Sequence, residues 1–333
     1  MALKIGINSF GRIGRLTLRA ISENPEIECV GVNDLIDTDL MAHLFKYDSA
    51  HGMFKGEVSA DEANLTINGR KIPVTKEKDP TKLPWKSLEC DIVLECTGIF
   101  RDTEKAGMHI AAGAKRVVIS APAKGDVPTF VYNVNHETFD PAKDVILSNA
   151  SCTTNCLAPV AKVLDDNFGI ETGFMTTVHA YTSDQCIVDS PHSDFRRARA
   201  AAMSQIPTTT GAAKAVGLVL PNLKGKLDGM AIRVPTVDVS LVDLVVSLKN
   251  AATAEEINAQ LEKAANGPMK KTLQFCTDPC VSVDFMGNPH GSIVDAASTK
   301  SNGKLAKILA WYDNEMGFCH QMIRMTKYIG SKI

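Results

Sequence analysis

Cys152 is the residue whose surroundings most clearly favour covalent chemistry. It follows a strand-like apolar run, residues 145–149, and precedes a helical pattern of apolar residues that begins at Leu157. This spacing predicts Cys152 in the first turn of a helix, where unpaired backbone N–H groups and the helix dipole would lower the pKa of the thiol. Its neighbours are the polar residues Ser, Thr and Asn rather than core residues, which favours a nucleophilic over a structural role for Cys152. Cys156, one turn later, is interpreted as a small buried hydrophobe.

A nucleophilic thiolate needs a partner that moves protons, and His179 is the candidate. It lies 27 residues after Cys152, near the end of the strand-like residues 173–180. Histidine is the side chain that most often acts as a general base. A lone histidine is nevertheless more often structural than catalytic, and spacing does not establish that the two side chains meet. The Cys–His pair is therefore a hypothesis at this stage.

Glycines near the start of the chain indicate a second site. Gly6 and Gly11 occupy the outer positions of G-x-G-x-x-G between a strand-like run and a helical pattern, and Asn8 stands at the middle position. Such a loop lets a pyrophosphate approach the backbone at a helix N-terminus. Asp34 ends the next strand, 20 residues after Gly14, where a carboxylate can accept hydrogen bonds from ribose hydroxyls. Because its charge would repel the extra phosphate of NADP, the pattern predicts NAD as the cofactor.

Alternating strands and helices must position these groups. In the first 150 residues, short apolar runs alternate with helical patterns, which predicts an α/β fold with a parallel sheet wound on both faces. From about residue 170, runs of β-branched residues predict a larger, mixed sheet. Residues 182–199 are polar and lack periodicity, which is typical of a functional loop. A closing helix is predicted over residues 315–329.

Composition limits the possible partners. The 333 residues suffice for two domains, and 44% hydrophobic and 22% charged residues are ordinary for a soluble protein. A net charge of −2 gives no bulk attraction to nucleic acid or anionic membranes. The first residues read as a strand and turn rather than a signal peptide, and no apolar run approaches a membrane span. Nine cysteines without zinc-type spacing favour reduced thiols. We expect a cytoplasmic protein without a metal, nucleic-acid or membrane partner.

Five segments together resemble phosphorylating glyceraldehyde-3-phosphate dehydrogenase, and the resemblance covers essentially the whole chain. They are residues 6–14, 148–155, 176–182, 208–215 and 311–315. The run Ala-Ser-Cys-Thr-Thr-Asn around Cys152 is highly specific to this family. The resemblance implies a Rossmann-type doubly wound parallel sheet in a NAD-binding domain of residues 1–150 and 315–333. It also implies an α+β catalytic domain with a large mixed sheet, residues 151–314, and a homotetramer.

The resemblance also implies roles for individual residues. Cys152 matches the nucleophile and His179 the base. The positions that match cofactor contacts are Gly11, Arg12, Ile13, Asp34, Lys78, Ser120 and Asn314. Those that match the site for the substrate's own phosphate are Thr182 and Arg233. Those that match the region for inorganic phosphate are Ser151, Thr153, Arg197, Thr210 and Gly211.

The activity implied by this resemblance is the NAD-dependent oxidation of D-glyceraldehyde 3-phosphate through a Cys152 hemithioacetal and thioester. Inorganic phosphate would then release 1,3-bisphosphoglycerate, a step of glycolysis and gluconeogenesis.

One alternative is an erythrose-4-phosphate dehydrogenase that releases a free acid, although Arg197 favours attack by phosphate. A second is a Cys–His hydrolase or acyltransferase, against which the glycine loop and Asp34 argue. A third is a thiol redox sensor or an RNA-binding protein. Oxidation of Cys152 is expected only as a side reaction, and no basic stripe supports RNA binding.

Overall fold

A computed structural model describes residues 2–22 and 24–333, and the chain divides into two compact units. The first unit comprises the residues up to Phe130, His136–Ala150 and Met322–Ile333. The second comprises Val131–Asn135 and Ser151–Gln321. The resemblance assigns all of residues 315–333 to the first domain, whereas the compact units divide the C-terminal helix after residue 321.

The first unit is an α/β fold around one eight-stranded sheet. Its strands are β1 (Leu3–Asn8), β2 (Ile27–Asn33), β3 (Val58–Ala60), β4 (Asn64–Ile67), β5 (Arg70–Thr75), β6 (Ile92–Glu95), β7 (Arg116–Ile119) and β8 (Ile146–Ser148). Its complete helices are α1 (Arg12–Ile21), α2 (Thr38–Lys46) and α3 (Thr103–Ala111). The sheet order is β3-β4-β5-β2-β1-β6-β7-β8, parallel from β5 to β8 and antiparallel at the β3 edge. The predicted doubly wound parallel sheet is confirmed.

The order of the six parallel strands creates a switch point between β1 and β6. The chain builds β1, β2 and β5 outward on one side and then returns to build β6, β7 and β8 on the other. In open α/β sheets, ligands bind in the crevice at the carboxyl ends of the strands at such a point. The apolar side chains of Ile5, Ile7, Ile92 and Leu94 in the two flanking strands are buried, as parallel strands covered on both faces require.

The second unit is built on a mixed sheet. Its strands are β9 (Ile170–Ala180), β10 (Ile206–Thr209), β11 (Leu227–Val234), β12 (Ser240–Leu248), β13 (Leu273–Cys276), β14 (Ser292–Asp295), β15 (Lys300–Asn302) and β16 (Leu305–Tyr312). Their order is β10-β11-β9-β12-β16-β14-β13, with β15 beside β16. The helices are α4 (Cys152–Phe168), α5 (Ala212–Val219), α6 (Ala254–Asn266) and α7 (Met316–Gly330), the last shared with the first unit. Parallel pairs, β9 with β11 and β13 with β14, combine with antiparallel ones, which confirms the predicted mixed sheet.

Local signals explain where prediction and structure agree. Helix α6 begins after Thr253, a residue type favoured at helix starts, and the side chains of Thr253 and Glu256 form a capping box. Residues 182–199 contain no helix or named strand among those described, in agreement with the predicted loop. Strands β3 to β5 were not expected from the sequence, because they are short and polar. In the described part of the chain, no helix combines the length and apolar character needed to span a membrane.

We predict that Gly14→Ala destabilises the first unit. A Cβ at Gly14 would lie 2.0 Å from the carbonyl oxygen of Ser9, a backbone atom that cannot move aside easily. Overpacking of this kind costs about 1–3 kcal/mol, so the thermal unfolding midpoint should fall by several degrees. The matched control is Gly107→Ala in α3, where the nearest atom would be Ile146 Cδ1 at 3.8 Å. That change should leave the midpoint unchanged or raise it; equal midpoints for the two variants would contradict the prediction.

Candidate active site

Cys152 is the first residue of helix α4, as the sequence predicts. Ser151 is the N-cap of this helix, and its Oγ accepts a hydrogen bond from the backbone N–H of Thr154 at 3.0 Å. The cap fixes where the helix starts, and therefore which residue stands in its first turn. Cys156 is fully buried and its pKa is raised to about 12 by burial, which confirms its interpretation as a structural thiol.

The structure brings His179 to Cys152. Nε2 of His179, near the end of β9, lies 3.6 Å from Sγ of Cys152. Its Nδ1 lies 2.7 Å from the carbonyl oxygen of Ala180. Nη1 of Arg233, which only donates, lies 3.0 Å from the same Nδ1. Because the contact with the carbonyl oxygen is the shorter one and that oxygen only accepts, we assign the ring proton to Nδ1, so that Nε2 presents its lone pair to the thiol. This is the tautomer that a base for Cys152 needs.

Burial sets the protonation of this pair. It raises the pKa of the Cys152 thiol, an effect that the charge of Arg233 and hydrogen bonds from Thr153 oppose without overcoming. Burial and the charge of Arg233 lower the pKa of His179 to about 3. The predicted lowering of the thiol pKa is therefore wrong for the ligand-free protein, because the loss of solvation outweighs the favourable helix terminus. At neutral pH, a neutral thiol faces a neutral imidazole.

Arg233 lies beside His179 because β9 and β11 run parallel in a register that pairs these two residues. Nη1 of Arg233 lies 3.2 Å from the carbonyl oxygen of Ala180 and 3.5 Å from Oγ1 of Thr182. The Nε atom is buried and has no hydrogen-bond partner among the described residues. No carboxylate in the described chain lies within ion-pair distance of this guanidinium. Arg233 thus retains a positive charge and a donor for a bound anion.

A second arginine, Arg197, is fixed by the polar loop and β10. Its Nε donates to Oγ1 of Thr208 at 3.0 Å and its Nη2 to the carbonyl oxygen of Thr209 at 3.1 Å. It also forms an ion pair with Asp184. The charge of Arg197 contributes to the lowered pKa of His179, so the two groups lie within electrostatic reach.

The other residues that match the phosphate region lie at helix starts. Ser151 and Thr153 flank Cys152, and Gly211 is the N-cap position of α5. Oγ1 of Thr210 accepts a hydrogen bond from the N–H of Ala212 at 3.2 Å. Hydroxyls and backbone N–H groups at helix N-termini are suited to phosphate.

Tyr312 is a site residue to which sequence reasoning gave no role. Its buried hydroxyl lies 2.8 Å from Oγ1 of Thr153 and 2.8 Å from Oγ1 of Thr177. Its ring packs edge-on against that of His179, with centroids 5.9 Å apart. Tyr312 therefore ties the first turn of α4 to β9. The sequence indicated Tyr312 only through its place in the segment 311–315, which resembles the family. Its contacts follow from the sheet pairing, which the sequence does not show.

The residues that match cofactor contacts in the first unit lie at the carboxyl ends of parallel strands. Oδ2 of Asp34, which follows β2, accepts a hydrogen bond from the N–H of Phe10 at 2.6 Å, so it is held against the glycine loop. Gly11 is the N-cap of α1, and no side chain caps that terminus. Arg12 pairs with Asp48.

The remaining matched positions are more dispersed. Ile13 packs partly buried against the core of the first unit. Lys78 is exposed in the bend after β5, and Ser120 directly follows β7. Asn314 belongs to the second unit, where its Oδ1 accepts a hydrogen bond from Oγ of Ser240 at 2.6 Å.

These residues fit a dinucleotide. A Cβ at Gly11 would meet only Oγ of Ser9, at 3.5 Å, so the backbone there is open to a phosphate group. An uncapped helix N-terminus attracts the pyrophosphate, and the carboxylate of Asp34 suits ribose hydroxyls.

Comparisons with known proteins show the family of this chain. Residues 3–103 match the family described as glyceraldehyde 3-phosphate dehydrogenase, NAD binding domain, and residues 151–314 match its C-terminal domain. The chain is 56% identical to the glyceraldehyde-3-phosphate dehydrogenase of Geobacillus stearothermophilus over 333 residues, 100% of this chain and 99% of the relative. It is 54% identical to glyceraldehyde-3-phosphate dehydrogenase 1 of Bacillus subtilis over 333 residues, with the same coverage.

A third relative is the glyceraldehyde-3-phosphate dehydrogenase of Zymomonas mobilis, at 56% identity over 328 residues, 97% of each chain. Both domain matches and all three relatives point to the same family. The chain therefore belongs to the glyceraldehyde 3-phosphate dehydrogenase family and is an oxidoreductase that uses NAD as its cofactor.

Proposed function

We propose that this enzyme converts D-glyceraldehyde 3-phosphate to 1,3-bisphosphoglycerate, with NAD and inorganic phosphate as co-substrates. The names of its relatives support the aldehyde substrate. The observation that carries the proposal is the 3.6 Å contact between Sγ of Cys152 and Nε2 of His179, beside an arginine without an ion-pair partner among the described residues. A thiol with an adjacent base is suited to covalent catalysis on a carbonyl.

In the proposed reaction, Cys152 and His179 share the proton transfers. Nε2 of His179 takes the thiol proton as Sγ bonds to the aldehyde carbon, and then passes it to the former carbonyl oxygen, which becomes the hydroxyl of a hemithioacetal. Bound NAD supplies the hydride acceptor. His179 takes the hydroxyl proton, which leaves a thioester on Cys152. An oxygen of inorganic phosphate attacks that thioester, and the C–S bond breaks to give the acyl phosphate and the Cys152 thiolate.

Two phosphate sites follow from the two arginines. Arg233 and Thr182 would hold the substrate's own phosphate, since the free Nε of Arg233 offers a donor. Arg197 would act on inorganic phosphate, because Thr208 and Asp184 hold its guanidinium in place. The other donors proposed for this second site are Ser151, Thr153, Thr210 and Gly211. Guanidinium groups are suited to such bidentate recognition.

Cofactor contacts are proposed in each unit separately. Gly11, Arg12 and Ile13 would hold the pyrophosphate at the start of α1, and Asp34 the adenosine ribose. Lys78 and Ser120 would contribute further contacts, and Asn314 would bind the nicotinamide amide, its Oδ1 already oriented by Ser240.

We also propose a homotetramer in the cytoplasm that serves glycolysis or gluconeogenesis. Large exposed apolar side chains concentrate in and after the polar loop: Ile187, Val188, Phe195 and Met203 are 70–89% exposed. Exposed apolar clusters of this kind mark interfaces, and a second copy of the chain would cover them. Nine free thiols suit a reducing compartment.

The proposal predicts that turnover depends on phosphate. NADH formation from glyceraldehyde 3-phosphate, followed by absorbance, should be sustained with phosphate or arsenate and stop after about one turnover per site without either anion. Arg197→Leu should reduce the rate at fixed low phosphate at least about tenfold, whereas Arg196→Leu, at an exposed position, should not. Equal turnover without either anion would contradict the proposal and indicate hydrolysis to the free acid, the reaction of an erythrose-4-phosphate dehydrogenase.

The site also predicts a pH effect of Arg233. Its charge lowers the pKa of Cys152 and the pKa of His179, so Arg233→Leu should raise both. Less thiolate is then present at neutral pH, and alkylation of Cys152 by neutral iodoacetamide should be about three- to tenfold slower, with its pH midpoint shifted upward. The rate is measured as mass gain of the Cys152 peptide against pH, with Arg196→Leu as control. An unchanged or lower midpoint would show that Arg233 does not act on the thiol.

A further inference from the structure

A buried carboxylate, Glu95, lies at the switch point of the NAD-binding unit and has no part in the mechanism above. It is the last residue of β6, and its register partner across the sheet is Asn8, the last residue of β1. Glu95 is fully buried and Asn8 is 2% exposed. The pair therefore lies at the carboxyl ends of the two strands between which such folds bind their ligand.

Four donors surround the Glu95 side chain. Oε2 accepts hydrogen bonds from Nδ2 of Asn8 at 2.6 Å and from Nε2 of His109 at 3.0 Å. Oε1 accepts from the backbone N–H of Thr97 at 2.8 Å and from its hydroxyl. An ionised carboxyl group is an acceptor only, with about four lone-pair sites. The surroundings thus match a carboxylate anion.

His109 does not neutralise this charge. Nε1 of Trp85, which can only donate, lies 3.1 Å from Nδ1 of His109. Nδ1 is therefore unprotonated, Nε2 carries the proton towards Glu95, and the imidazole is neutral. Among the described residues, no Lys or Arg nitrogen lies within 4.0 Å of the Glu95 carboxylate, and its contact with the neutral His109 is a hydrogen bond.

The same carboxylate shapes the edge of the crevice. Oγ1 of Thr97, while donating to Glu95, accepts a hydrogen bond from the N–H of Ile99 at 3.0 Å. Gly98 between them has φ +70°, a backbone conformation that favours glycine. Glu95 therefore holds a tight turn, residues 97–99, whose Ile99 side chain is 65% exposed. Burying a charge that only neutral donors stabilise costs folding free energy. We therefore expect a charge that is kept at the edge of the ligand crevice to have a function.

We propose that Glu95 is a positioning residue that also biases the enzyme towards the oxidised cofactor. NAD⁺ carries one more positive charge than NADH, on its nicotinamide ring. A fixed negative charge at the edge of the same crevice therefore favours NAD⁺ over NADH, by an amount that falls with its distance from the ring. The turn at Thr97 supports both forms equally. This inference rests on the NAD site and not on the identity of the aldehyde.

The test measures the dissociation constants of NAD⁺ and NADH, by calorimetry and without substrate, for the wild type and two variants. Glu95→Gln removes the charge and keeps the size of the side chain. It should lower the ratio of the NADH constant to the NAD⁺ constant about three- to tenfold. Thr97→Val removes one donor and keeps the charge, so it should weaken the binding of both forms by the same factor and leave the ratio unchanged.

An unchanged ratio in a folded Glu95→Gln variant would overturn the charge effect, as would an equal change of ratio in Thr97→Val. If the Glu95→Gln variant does not fold, the dissociation constants of the wild type are the test. The wild type should bind NAD⁺ at least as tightly as NADH, and tighter binding of NADH would overturn the proposal. Because no aldehyde is present, failure of the proposed substrate would leave these outcomes unaffected.

Discussion

The first turn of α4, held against β9, is the constraint on which the rest of the site depends. Ser151 caps the helix and so determines that Cys152, and not a neighbour, stands at its start. Tyr312 then joins Thr153 of that turn to Thr177 of β9 through one hydroxyl. With both elements fixed, Cys152 and His179 meet although 27 residues separate them. A shift of β9 by one residue would turn His179 to the opposite face of the sheet.

The electrostatics of the pair follow from this packing. Burial disfavours both the thiolate and the imidazolium, and Arg233 favours the first while opposing the second. A neutral His179 has a lone pair available for the thiol proton, but its lowered pKa and the raised pKa of the thiol make that transfer unfavourable in the ligand-free site. Binding of an anion to Arg233 would offset its charge and make an imidazolium less unfavourable, so substrate binding and proton transfer are coupled through one side chain.

Features that depend on neighbouring residues were predictable from the sequence. The strand, polar turn and helix around Cys152, the glycine loop with Asp34, and the Thr253 cap all follow from local patterns.

Features that depend on sheet pairing were not predictable from the sequence. The contact of His179 with Cys152 and the role of Tyr312 arise from the order and register of distant strands. The expected lowering of the thiol pKa failed for the same reason, because desolvation is a property of the tertiary environment. The buried Glu95 network was not predictable from the sequence, because its members lie far apart in the chain, from Asn8 to His109.

The central claim is that Cys152 carries the acyl group between oxidation and phosphorolysis. The most direct test mixes the enzyme with NAD and glyceraldehyde 3-phosphate without phosphate, quenches it in acid, and locates the adduct by peptide mass spectrometry. The account predicts a phosphoglyceroyl mass on the peptide that contains Cys152, which disappears when phosphate is added before the quench. No adduct, or one on another of the nine cysteines, would contradict it.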